Sequence, residues 1–188
     1  MSATTSTMLE LGTKAPEFTL PSVNGGDLSL KYTDHSKGFV LMFICNHCPY
    51  VLHIEDELRE LASEYINRGI AFIGISSNDV ENYPQDSPEL MSAKKYPFPY
   101  LYDESQEVAK AYSAACTPDF FVFNKERELV YRGQFDDSRP GNEVPVTGKD
   151  LRSALDNMLK GKEISSTQTP SIGCNIKWKP GNAPDYFG

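Results

Sequence analysis

Six consecutive apolar residues, Phe39 to Ile44, run without a break into Cys45-Asn46-His47-Cys48-Pro49. A continuous apolar run of this kind is the pattern of a strand buried on both faces. Beyond the cysteines, Val51, Ile54, Leu58, Leu61 and Tyr65 recur at intervals of three and four, which is one apolar stripe of a helix. Glu55, Asp56 and Glu57 lie in its N-terminal half and Arg68 at its end, which suits the helix dipole, and Gly69 is a natural residue to follow a helix C-terminus. Ile70 to Ile75 then reads as a second buried strand. Strand, helix and strand in this order make a βαβ unit with a parallel pair. Two cysteines spaced by two residues therefore sit where a buried strand meets a helix.

The flanking chain adds elements of the same class. Phe18-Thr19-Leu20 and Leu28-Ser29-Leu30 alternate around Asn24-Gly25-Gly26, a hairpin pattern. Ser87-Pro88 predicts a helix start, with Ser as cap and Pro in the first turn, and the helix extends to about Tyr96. Tyr100 to Tyr102 predicts a short strand, and Ser105 a cap for a short helix to Tyr112. Phe120 to Phe123 and Glu128 to Arg132 predict two strands joined by a turn. Thr147 to Asp150 resembles a capping box before the apolar Leu151, Leu155 and Met158. The expected organisation is a loose N-terminus over 1–10, one domain over 11–163, and an extended arm over 164–188 that wraps on the domain or frays.

The 188 residues carry a formal net charge of −8, which argues against a nucleic-acid or anionic-membrane surface because phosphate binding needs a concentrated positive field. No apolar run approaches the roughly 18–20 residues that span a bilayer, and Met1 to Glu10 lack the basic and apolar regions of a signal peptide. A cytoplasmic setting is expected, where thiols stay reduced and the four cysteines, Cys45, Cys48, Cys116 and Cys174, point to chemistry or metal rather than stapling.

Two intervening residues put Cys45 and Cys48 within disulfide reach. The expectation is that Cys45 lies at the positive end of the helix dipole, which stabilises a thiolate, and that His47, when protonated, stabilises it further. Cys45 would then attack a substrate disulfide and Cys48 would resolve the mixed disulfide. A C-x-x-C is also half of a zinc site, which Cys116, Cys174 or His47 could complete. His53 falls beside the apolar stripe, as a packing or capping residue or a proton-transfer group. Thr117-Pro118 stands at the entry to a buried strand, where Pro cannot donate to the ladder; a cis bond there would turn the chain and expose backbone for a substrate to pair with.

These segments together resemble the thioredoxin superfamily, and within it the peroxiredoxin-like, AhpC/TSA-type redoxins. The resemblance rests on Gly12 to Phe18, the strand–CNHCPYV–helix unit, the Thr-Pro-Asp-Phe-Phe-Val-Phe strand and the C-terminal Pro-Ser-Ile-Gly-Cys-Asn-Ile-Lys-Trp. It implies an α/β thioredoxin-like fold, with a central mixed sheet flanked by helices, an N-terminal hairpin and an extended arm. It further implies a thiol–disulfide oxidoreductase with no bound organic cofactor, acting on protein or small-molecule disulfides and drawing electrons from a thioredoxin-type donor or glutathione. Cys45 takes the place of the exposed nucleophile, Cys48 that of the buried partner, and Pro118 that of the cis-proline facing the disulfide.

A thiol peroxidase using Cys48, with Cys45 or Cys174 as resolving thiol, is the alternative, and a non-catalytic zinc or protein-binding module the second. Against the peroxidase signature P-x-x-x-T-x-x-C, alignment on Cys48 puts Leu41 at the Pro position and Cys45 at the Thr position, so the donors that hold a peroxide are missing. Cys116 reads as a small buried thiol and Cys174 as either a third redox thiol or a free surface cysteine. Asp136 to Pro140 reads as a solvated charged loop.

Overall fold

In a computed structural model describing residues 3–187, the apolar run before the cysteines forms the middle of a five-stranded sheet. This strand, Gly38–Phe43, pairs in parallel with Ala71–Ser76 and antiparallel with Asp119–Asn124. Buried on both sides, it alternates between two cores. Val40, Met42 and Ile44 face one, and Phe39, Leu41 and Phe43 face the other. Each such side chain removed from water contributes about 1.5–3 kcal/mol.

In chain order the strands and helices are β1 (Ala3–Thr5), β2 (Thr19–Pro21), β3 (Asp27–Ser29), β4 (Gly38–Phe43) and α1 (Pro49–Asn67). Then come β5 (Ala71–Ser76), α2 (Pro88–Ala93), β6 (Tyr100–Tyr102), α3 (Glu107–Ala111) and β7 (Cys116–Thr117). The chain ends with β8 (Asp119–Asn124), β9 (Leu129–Gly133), α4 (Lys149–Leu159) and β10 (Ile172–Asn175). The main sheet has the order β6-β5-β4-β8-β9, with β4, β5 and β6 parallel and β8 and β9 antiparallel, so it is mixed. The stripe of α1 and Leu151, Ala154 and Leu155 of α4 cover one face. Ala15, Phe18, Leu20 and Leu30 of the N-terminal segment, with Val108 and Ala109 of α3, cover the other.

Several local expectations are corrected. The N-terminus is not loose over residues 3–5, because β1 pairs antiparallel with β10; Met1 and Ser2 lie outside the described residues. The Ser87 hydroxyl does cap α2, but the helix ends at Ala93, and Lys95 turns to φ 50. Gln106, not Ser105, is the N-cap of α3, although the Ser105 hydroxyl does accept from the Glu107 amide at 3.3 Å. The buried Asp103 carboxylate accepts from the Val108 and Ala109 amides and from the Ser77 hydroxyl. No capping box forms at Thr147, since Gly148 at φ 64 precedes α4 and the Asp136 carboxylate takes the Thr147 and Gly148 amides at 2.7 Å each. In both cases a buried carboxylate earlier in the same loop takes free amides near the helix start, as a stronger acceptor than a hydroxyl. The far end of the chain is bound as well, with β10 the middle strand of a second sheet ordered β1-β10-β7.

Asp119, which opens β8, is fully buried, and neither carboxylate oxygen closes a full hydrogen bond. The nearby Ser6 hydroxyl and the Ala115 and Phe120 amides only partly offset this, and burial pushes the carboxyl up to about 7. The unfolded chain releases this proton near pH 4, whereas the folded chain holds it until near pH 7. Stability from this group is therefore whole below pH 4 and lost as pH rises through 7, on the order of 4 kcal/mol. Asp119→Asn is expected to flatten the fall in unfolding free energy between pH 4 and pH 8 by that order, read by urea denaturation at both values. Equal pH dependence in the two proteins would remove this assignment.

Candidate active site

The chain leaves β4 at Phe43, and Ile44 extends the pairing by donating to the Ile75 carbonyl. Cys45 to Cys48 then make a bend held from the side by one buried carboxylate. Asp86 Oδ1 accepts from the Asn46 amide at 2.8 Å and the His47 amide at 3.3 Å. Its Oδ2 accepts from Asn78 Nδ2 at 2.8 Å and lies 2.7 Å from His47 Nδ1. Asn46 donates to the Gln85 carbonyl and accepts from the Tyr100 hydroxyl, while the His47 ring stacks on Tyr83. Nothing in the local spacing of the sequence links residue 86 to this bend, and no short-range signal would have found it.

The positive end of the helix lies at Cys48, three residues beyond the Cys45 expected there. Pro49 is its first residue and Cys48, not Cys45, is its N-cap. The free helical amides and the positive end of the dipole therefore favour charge on Cys48. Neither sulfur is exposed: Cys45 is 1% and Cys48 0% accessible, which corrects the reading of Cys45 as an exposed thiol.

The environment divides the two sulfurs. Cys45 is pushed well up by its hydrogen bond to Cys48, by burial and by the Asp86 charge. Cys48 is pulled well down by hydrogen bonds from the Cys174 and Cys45 thiols, against the cost of burial, with help from the Thr117 hydroxyl and the Val51 amide. One acceptor opposes this, the Thr117 carbonyl at 3.1 Å, to which the protonated Cys48 thiol donates. The surroundings thus push the two thiols in opposite directions, Cys48 down and Cys45 up. His47 points to Asp86 and does not supply the stabilisation expected of it.

Thr117 and Pro118 form the opposite wall, and the bond between them is cis. The Thr117 hydroxyl lies 3.5 Å from Cys45 Sγ. The backbone that such a turn was expected to expose is not free, since β10 pairs along it with Cys174 opposite Thr117 and Asn175 opposite Cys116. Gly173 makes this possible, because a Cβ there would lie 2.0 Å from the Thr117 carbonyl oxygen. Cys174 is consequently buried beside Cys48 rather than free on the surface. Cys116 is buried too, and its thiol is raised by burial and the Asp119 charge, an inert setting.

The charged loop 136–140 is not simply solvated. Ser138, Arg139 and Pro140 line a small cleft over Pro118, together with Tyr50, Ile54 and Ile172. His53 fixes that loop, with Nε2 2.7 Å from the Ser138 hydroxyl.

Among the described residues, the one group of donors close enough to gather a metal ion is Cys45, His47 and Asp86, within 4.8 Å of one another. Cys48, Cys116 and Cys174 stand outside it, so the structure does not assemble the zinc site that the C-x-x-C spacing allowed. Both Asp86 oxygens are already engaged by the bend and Asn78. Likewise, no helix among the described residues is long and apolar enough to cross a membrane.

Known proteins resemble this chain in sequence and in fold. The structure matches that of an uncharacterized conserved protein from Geobacillus kaustophilus with a TM-score of 0.93 and 53% identity, over 96% of this chain and 98% of that one. The thiol–disulfide oxidoreductase ResA of Halalkalibacterium halodurans is 25% identical over 119 residues, which are 63% of this chain and 65% of that protein. The chain thus matches somewhat under two thirds of that relative's length. Peroxidoxin BcpB from Mycobacterium tuberculosis shares the fold, with a TM-score of 0.60 and 18% identity over 81% of this chain and 97% of that one. Residues 11–132 match the AhpC/TSA family, and the chain, with its thioredoxin-like fold, belongs to that family.

Proposed function

We propose that this protein is a thiol–disulfide oxidoreductase in which Cys48 is the attacking thiolate and Cys45 the thiol that resolves the mixed disulfide. The observation that carries this reading is the unequal environment of the pair. One sulfur sits at a helix N-terminus among donors, and the other lies beside a buried carboxylate. Attack by Cys48 on a substrate disulfide forms one S–S bond and expels the substrate's other sulfur as thiolate. Cys45 then loses its proton and attacks Cys48 Sγ. The substrate leaves reduced, and Cys45–Cys48 is left oxidised. The Cys45 proton passes to the departing sulfur, and Pro118 and Thr117 hold the wall against which the exchange occurs. Electrons return from a thioredoxin-type donor or glutathione, in a cytoplasmic setting, with disulfide-bearing proteins or small molecules as substrates.

The reversal of roles between the cysteines is testable. Cys48→Ser is expected to abolish dithiothreitol-driven reduction of insulin and of a small aromatic disulfide. With Cys174 also replaced by Ala, Cys45→Ser should still release one equivalent of aromatic thiol and then stall as a mixed disulfide on Cys48, visible by mass. Stalling on Cys45 in the Cys48→Ser protein, at the wild-type rate of the first step, would restore the opposite assignment.

The charge on Cys48 has its own signature. An ordinary thiol ionises near pH 8.5 and is almost wholly protonated at pH 6. The reduced protein should keep thiolate absorbance near 240 nm at pH 6, and Cys48→Ser should lose it while Cys116→Ser retains it. A spectrum that loses this absorbance with a midpoint near 8.5 would mean that the donors around Cys48 do not outweigh its burial.

The same thiolate supports a second reading, a thiol peroxidase using Cys48, because a lowered thiol is what peroxide attack requires. Peroxide consumption that is lost in Cys48→Ser and exceeds disulfide reduction in rate would favour it.

A further inference from the structure

The arm carrying Cys174 is held on both sides of that residue. Before it, the Ser171 hydroxyl donates to the Pro118 carbonyl at 2.6 Å, and the Ser6 amide donates to the Ser171 carbonyl. After it, the Ile176 amide donates to the Ala115 carbonyl, and the Lys177 amide to Asn78 Oδ1 at 2.8 Å. Gln106 Nε2 donates to the Lys177 carbonyl. Between these anchors β10 lies antiparallel on β7, with Cys174 directly opposite Thr117.

Residues directly opposite in an antiparallel pair project their side chains to the same face, with Cβ atoms about 4.5–5.5 Å apart. The face of Thr117 is known, since its hydroxyl touches Cys45 Sγ. Cys174 therefore projects toward the C-x-x-C and is buried in the same core cluster as Cys45 and Cys48. The approach leaves no room for a side chain at position 173. An extended strand paired to the cis-proline segment, with a sulfur against the reactive cysteine, is the arrangement that a disulfide substrate would need to adopt.

Resting on the oxidoreductase reading above, we propose that the arm is an internal substrate and that Cys174 is a third exchanging thiol, Cys48 bonding alternately to Cys45 and to Cys174. Starting from the Cys45–Cys48 disulfide, the Cys174 sulfur gives up its proton and attacks Cys48 Sγ. The Cys48–Cys174 bond forms, and the Cys45–Cys48 bond breaks. The bonding pair leaves with the Cys45 sulfur, which takes up the proton. No net oxidation occurs, so the only oxidant needed is the substrate disulfide that made the first bond. In the product the arm is covalently tied to the start of α1, and an external substrate can reach Cys48 only after this tie is undone and β10 has left Thr117.

The two isomers are separable without any variant. Trypsin places Cys45 and Cys48 together in peptide 38–59 and Cys174 in peptide 163–177. The first disulfide is therefore internal to one peptide, whereas the second joins two. Wild-type protein equilibrated with reduced and oxidised glutathione, quenched in acid and blocked with N-ethylmaleimide, is expected to yield the joined peptides beside the internal disulfide. In Cys45→Ser the joined species should rise several-fold, and in Cys174→Ala it should vanish. An internal disulfide with no joined species in the wild type overturns the role of Cys174 and leaves the oxidoreductase reading intact. Joined peptides with no internal disulfide keep Cys174 and remove Cys45 as the resolving thiol. The absence of both species overturns both.

Discussion

Thr117 is the residue on which the rest of the site depends. Its hydroxyl meets Cys45, its carbonyl meets Cys48, and its backbone carries the ladder to β10. Each of these contacts constrains the others. The strand can lie against Thr117 only because residue 173 has no side chain, and it brings Cys174 with it only because opposite residues share a face. The position of Thr117 itself follows from β8, whose antiparallel pairing with β4 sets residue 119 beside residue 43, two residues from Cys45. The central strand of the core and the chemistry of the site are thus joined by one register.

Two cysteines three positions apart acquire opposite tendencies because they belong to different environments. Cys45 ends the buried strand and lies near Asp86, the group that fixes the bend through both of its oxygens. Cys48 begins the helix, at the positive end of its dipole, with the Cys45 and Cys174 thiols buried in the same cluster. The carboxylate that organises the loop thereby disfavours charge on the nearer sulfur, and the helix favours it on the other. Burial strengthens both effects, since screening by water is weak for covered groups.

The parts legible in the sequence were those with a local period. The apolar run of β4, the stripe of α1 and the alternation of the hairpin each declare their element without reference to the rest of the chain. The C-x-x-C lies between strand and helix as the sequence indicates, whereas the sequence alone puts the charge on Cys45 and the proposed reading puts it on Cys48. Assigning the charge required knowing that Pro49, not an earlier residue, starts the helix, and that Asp86 lies against the bend. Neither the Asp86 contacts nor the β7–β10 pairing has a short-range signature, because the partners are some forty and sixty residues apart in the chain. The caps differ for another reason. Thr147 and Ser105 are suitable residues in suitable places, yet Asp136 and Asp103, earlier in the same loops, are buried and stronger acceptors for nearby amides.

On the proposed reading, a redox site covered by its own chain suits a thiolate that must survive at rest. An exposed, strongly ionised cysteine is open to oxidation beyond the disulfide level, whereas a covered one is reached selectively. Here the cover is a strand that pairs with the cis-proline segment, so access costs the hydrogen bonds of that short ladder rather than the unfolding of a domain. Two ladder positions, Cys174 with Thr117 and Asn175 with Cys116, stand between substrate and Thr117. A substrate that offers an extended backbone can replace those bonds as it displaces them, and one that cannot must meet the loss uncompensated. Selection would then fall on the backbone of the substrate as much as on its disulfide, and the covering strand sets the shape that an entering chain has to match.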